Sequence, residues 1–219
     1  MLRIDSCASG GRRNDLEAMR RAVPLHRTDY NFEPTSQQCH HYGLSQWIPY
    51  HGTGFMVGKS VIEPPDCPMV PIPDEIVPYY FRSAMSPSLT VGLDLRDKNL
   101  DYDLARRLFD QFRLVTPCYL GDFYPLTDYT LSNEVWLAWQ YDLPEQGRGV
   151  LQAFRRPDNT EESQTYKLRG LNPNANYIVT DLDVNQPQKR TGRELMESGI
   201  EVTAKEKPAA QVITYELVK

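Results

Sequence analysis

The sequence predicts an α/β amino-terminal part, holding about the last three strands of a partial (β/α)8 barrel, followed by an antiparallel β-sandwich domain. Three observations carry this. The chain opens with a strand-like run that passes through small and polar residues into a helical pattern. Residues 99–115 form a helix of four-residue apolar period. Beyond Asn133, short β-rich runs alternate with turn residues.

The opening stretch runs from Met1, Leu2 and Ile4 through Asp5, Ser6 and Cys7 to Gly10 and Gly11, then to Arg12 and Arg13. Strands that end in such residues before a helix are where barrel enzymes place active-site groups. The helix after the glycines has Asn14 and Glu17 at capping-box spacing, acidic residues at its start and Arg20 and Arg21 at its end, with Pro24 as its stop. Leu16, Met19 and Val23 are spaced as one apolar stripe facing a core.

Tyr42 to Tyr50 is aromatic-rich and reads as a strand, with His51 to Gly54 as a glycine-rich loop after it. Trp47, Tyr50 and His51 could line a binding site through aromatic stacking, and Trp47 equally suits a core. His40 and His41, adjacent in a strand, would face opposite ways and share no metal. The prolines from Pro64 to Pro78 mark a stiff, extended loop. Tyr79 to Ser86 reads as a buried strand, with Arg82 directed to the site or to a surface ion pair.

In the 99–115 helix, Leu100, Leu104, Leu108 and Phe112 recur every four residues, Asp101 and Asp103 open it, and Pro117 closes it. Its stripe belongs to a core. Six strands are expected after that: 135–141, 150–154, 166–168, 177–179, 200–203 and 211–217. Thr191 to Met196 makes a short helical turn ended by Gly199. The expected domains are residues 1–118 (barrel part), 119–132 (linker) and 133–219 (β domain).

Composition sets the bounds: 40% hydrophobic residues, a net charge of −5 and a mean hydropathy of −0.54 describe a globular chain of one or two domains. No apolar run reaches the ~18 residues of a membrane span, and the acidic balance argues against nucleic acid. Cys7, Cys39, Cys67 and Cys118 include no C-x-x-C pair, so neither zinc nor a disulfide framework is expected. Reduced thiols point to a cytoplasmic enzyme with no cofactor and no metal.

Cys7-x-x-Gly10-Gly11-x-Arg13-x-Asp15, followed by Arg27-Thr28-Asp29, resembles the signature around the general acid/base of family-36 glycoside hydrolases, the α-galactosidases or melibiases. In that family the acid/base aspartate stands twenty-two residues after the cysteine, and Cys7 to Asp29 matches this. The resemblance implies that Asp29 is the acid/base and that Cys7, Gly10, Gly11, Arg13, Asp15 and Trp47 contact or support the bound galactose. Without it, Asp5, Asp15 and Asp29 stand as equal candidates, each also suited to a helix cap or a solvated charge. His26 and Arg27 depart from the family's usual Trp and Thr. Tyr42-Gly43-Leu44-Ser45 is similar to the family's next barrel strand, and Leu168 to Leu171 to a turn of its C-terminal β domain.

The resemblance implies α-galactoside oligosaccharides as substrates, a homo-oligomer for the intact enzyme, and a retaining mechanism with two carboxyl groups ~5 to 5.5 Å apart. The family's nucleophile lies in a Lys-Trp-Asp motif, and this sequence has no Trp-Asp pair. The chain then reads as the acid/base-bearing part of an α-galactosidase, inactive alone. The alternative is a non-catalytic carbohydrate-binding or structural β module.

Overall fold

The computed structural model describes residues 4–7, 14–28, 33–57 and 73–218. The chain divides into two compact units, Met1–Phe112 and Arg113–Lys219.

The first unit holds two pairs of parallel strands. β1 (Asp5–Cys7) pairs with β2 (Val23–His26), with Asp5 opposite Val23 and Cys7 opposite His26. β3 (Gly52–Val57) pairs with β4 (Ser88–Leu93) in unbroken register. β2 adjoins β3: the Arg27 N–H donates to the Gly52 carbonyl at 3.0 Å. Gly52 is required here because a Cβ would overlap the Leu25 carbonyl. Five of the six β3 residues are buried, as suits a parallel strand covered on both faces.

Six expectations fail in this unit. Helix α1 is only Leu16–Met19, and Val23 and Pro24 belong to β2. Leu16 is 73% exposed, so no core stripe forms there. The cap is Asp15, whose carboxylate accepts from the Ala18 N–H, while Asn14 donates to the Arg27 carbonyl. Residues 42–50, expected as a strand, fall largely in helix α2 (Pro34–Ser45), and the expected loop at 52–54 begins β3. Residues 79–84, also expected as a strand, lie in helix α3 (Pro78–Ala84). Both helices carry proline at N1, where its missing N–H costs nothing. The 64–71 prolines lie outside the described residues.

Helix α4 (Tyr102–Val115) forms as expected, with the Asp101 carboxylate accepting from the Leu104 N–H. Leu108 is buried and Phe109 meets Phe81 of α3 edge-on at 5.3 Å. Arg82, buried on α3, donates to Gln111 Oε1 at 2.9 Å and so ties α3 to α4.

The second unit is built on a six-stranded antiparallel sheet of order β10-β9-β12-β7-β6-β5. Its strands are β5 (Asp122–Pro125), β6 (Trp136–Leu143), β7 (Arg148–Arg155), β9 (Asn176–Asp181), β10 (Gln188–Thr191) and β12 (Ala209–Leu217). β8 (Ser163–Tyr166) and β11 (Ile200–Thr203) form a two-stranded ribbon. Trp136, Leu151 and Tyr215 of the sheet share one core with Tyr166, Ile200 and Val202 of the ribbon. Helix α5 (Gly192–Glu197) adds Leu195 to that core. A capping box between Thr191 and Glu194 starts α5, and Gly199, at φ 81°, ends it. Three stretches differ from expectation. The strand expected at 166–168 runs instead over Ser163–Tyr166. Residues 122–125, read as linker, form edge strand β5. The polar run 188–191, which has no apolar alternation, forms β10.

Candidate active site

Because β1 and β2 are parallel with Cys7 opposite His26, their carboxyl ends emerge side by side. Cys7 ends β1 and is exposed. Beyond His26, Arg27 and Thr28 are fully buried, and Asp29 follows outside the described residues, as do Gly10, Gly11 and Arg13.

Arg27 is the anchor of this strand end. Its carbonyl accepts from Asn14 Nδ2 at 3.0 Å, beside its own N–H bond to β3. Its guanidinium reaches α2 and the entry of β3: Nη2 donates to Gln37 O at 3.1 Å and Gln37 Oε1 at 3.2 Å, and Nη1 donates to His51 Nδ1 at 2.9 Å. Thr53 Oγ1 donates to Gln37 Oε1 at 2.6 Å. A guanidinium only donates, so His51 Nδ1 must accept and its hydrogen sits on Nε2, directed at Ser45 Oγ 3.1 Å away. His41 Nδ1 lies 3.5 Å from the same Nη1, and the two imidazoles meet edge-on at 5.2 Å.

Burial holds both histidines well below the ordinary imidazole pKa, and the Arg27 charge adds to it; for His41 the facing His51 contributes as well. His40 is lowered too, by burial and then Arg27. The cluster thus sets neutral, hydrogen-bonded imidazoles beside the buried Arg27 guanidinium. Neither histidine is exposed, so His51 does not line a sugar site.

The remaining expected residues fall in different places. Asp15 is exposed and engaged as the α1 cap, directly on the segment that follows β1. Trp47 is 48% exposed, so it is not core. It stands, with Tyr50, on the connection between α2 and β3. Among the described residues no group of three or more His, Cys, Asp and Glu stands close enough to hold a metal. The Arg27, Gln37, His41, His51 and Thr53 cluster was not read from the sequence. Its one legible signal is Arg27 in place of the family's Thr.

Residues 136–214 match the model of the glycosyl hydrolase family 36 C-terminal domain. Over those residues the chain resembles the C-terminal domain of glycoside hydrolase family 36. In fold, the chain is similar to the α-galactosidase from Lactobacillus brevis, with a TM-score of 0.76 at 20% identity over 99% of this chain and 29% of that one. It is also similar to a variant of the α-galactosidase AgaA from Geobacillus stearothermophilus in complex with raffinose, with a TM-score of 0.70 at 17% identity over 92% and 27% of the two chains. A further AgaA variant, in complex with stachyose, gives 0.68 at 18% identity over 88% and 26%. At these identities the likeness is one of fold. The chain spans little more than a quarter of the length of these solved chains. No curated protein matches it.

Proposed function

We propose that this chain is the acid/base-bearing part of a retaining α-galactosidase acting on terminal α-D-galactosyl residues of oligosaccharides such as raffinose and stachyose. One observation supports it above others. The parallel register of β1 and β2 sets Cys7 and the residues after His26 at neighbouring strand ends, the arrangement the Cys7 to Asp29 signature requires. On this reading residues 1–118 are the last part of a (β/α)8 barrel and residues 133–219 its C-terminal β domain.

Asp29 protonates the glycosidic oxygen as the leaving group departs, then removes a proton from the water that hydrolyses the glycosyl-enzyme. Arg27 and Asn14 fix the strand end that precedes Asp29 in the chain. Cys7, Gly10, Gly11 and Arg13 are assigned to binding the sugar. A second carboxylate ~5 to 5.5 Å from Asp29 must act as nucleophile, and the family's motif for it has no counterpart in this sequence.

The test is hydrolysis of raffinose and of an aryl α-galactoside by the full chain, alone and mixed with the amino-terminal remainder of a related enzyme. Activity is expected in the mixture only. Asp29→Asn there loses ~100 to 10,000-fold on raffinose and far less on the activated aryl substrate. Equal loss on both moves the role away from Asp29. A mixture without activity overturns the split-site reading.

A further inference from the structure

The β9–β10 hairpin breaks the usual alternation of a half-buried sheet. Gln188 lies opposite Val179, Arg190 opposite Tyr177, and Asp181 opposite Ile213. Val179, Tyr177 and Ile213 all belong to the shared core, so these three polar residues share the inward face. A polar residue at an inward position is the informative departure from pattern. Here it faces a cleft of about 410 Å³ at the side of β11, which Gln186 and Glu201 also line. The floor is apolar: Val179, Ile200 and Ile213.

The polar groups around that floor keep most of their hydrogen-bonding capacity. Arg190 donates to the Gly199 carbonyl at 3.0 Å, and Asp181 Oδ1 accepts from the Asp183 N–H at 2.8 Å, bonds that fix both side chains at the rim. The Arg190 charge also acts on the Glu194 carboxylate, while Gln186, Gln188 and Glu201 have no side-chain partner among the described residues. Two carboxylates beside one guanidinium oppose an anion. Among the described residues no cluster suits a metal. Alternating donors and acceptors over an apolar floor match a neutral polyol, whose hydroxyls both give and accept while its C–H face packs on aliphatic carbon.

We infer that the cleft between β10 and β11 is a non-catalytic saccharide-binding site, held by Arg190, Asp181, Gln188 and Glu201. The choice of α-galactoside as its ligand rests on the function proposed above. The site lies wholly within the second unit and involves none of the residues assigned to bond cleavage.

The experiment is a nuclear magnetic resonance titration of the full chain with raffinose, following backbone amides. Saturable shifts are expected at β9, β10 and β11. Arg190→Ala should weaken them about tenfold or more, as loss of a charge-assisted hydrogen bond does. Gln188→Leu, at an exposed position, should weaken them while leaving the rest of the spectrum unchanged, which separates binding from folding. Asp29→Asn should leave them as they are. Absence of saturable shifts at these strands, or shifts that both variants leave untouched, overturns the site. Failure of the hydrolysis test with saturable binding here leaves the site standing and removes only the catalytic reading.

Discussion

The cradle around Arg27 makes the stability of the first unit depend on pH in a defined direction. His41 and His51 have folded-state pKa values well below 6.5, the ordinary value they regain on unfolding. Below pH 6.5 the unfolded chain therefore binds protons that the folded chain refuses. The stabilisation is complete above 6.5 and is lost as pH falls below it, at about 1.4 kcal/mol per pH unit for each histidine. From pH 7.5 to 5.5 the pair together costs at most about 2.7 kcal/mol, against a typical total of ~5 to 15 kcal/mol. His40, facing the same guanidinium, acts in the same direction. His51→Gln keeps an acceptor for Arg27 and a donor for Ser45 but cannot titrate, and should reduce the loss by its own share. Amide hydrogen exchange of β2, α2 and β3, corrected for intrinsic rates, reads the opening free energy of this unit by itself. An opening free energy that is flat over this range, or that rises toward acid, refutes the assignment of neutral, buried imidazoles.

Three further outcomes are expected. Tyr215→Phe removes the hydroxyl that donates to Asp142 Oδ1 at 2.7 Å and accepts from Gln140 Nε2 at 2.7 Å; leaving those groups unmet should cost ~1 to 3 kcal/mol in urea unfolding. Gly149→Ala puts a methyl group onto the Tyr215 hydroxyl and the Tyr141 carbonyl, and a loss of ~1 to 3 kcal/mol in the same assay is the overpacking result. Asp15→Ser preserves the α1 cap, so in the reconstituted enzyme it should leave the aryl-galactoside rate within a few-fold of the parent; a collapse of that rate would make Asp15 more than a cap.

Elements with one solvated face were legible. Helix α4 has its apolar residues on one side and acidic residues at its start, so period and caps agree. Strands β6, β7, β9, β11 and β12 were found by composition and turn residues. Helix α2 was misread because its buried positions are polar: Gln38 meets Tyr79 and Ser83, Gln37 meets Thr53, and His41 lies near Arg27, so no apolar stripe exists. Helix α3 is buried on nearly every side, which makes Tyr79-Tyr80-Phe81 look like a strand. In both, Pro at N1 was the overlooked sign. β10 is defined by its pairing to β9, a non-local fact that its own four polar residues do not carry.

By itself the sequence determined the two-part organisation, the β-rich second half, and a Cys7 to Asp29 spacing that resembles the family-36 signature, because these rest on local order along the chain. Tertiary structure alone decided that Cys7 and His26 stand opposite each other, that Trp47 enters a strand while Thr28 leaves one, and that Arg27 is held by His51, twenty-four residues away. A buried cation needs acceptors from several elements at once. No local pattern records which distant residues will supply them.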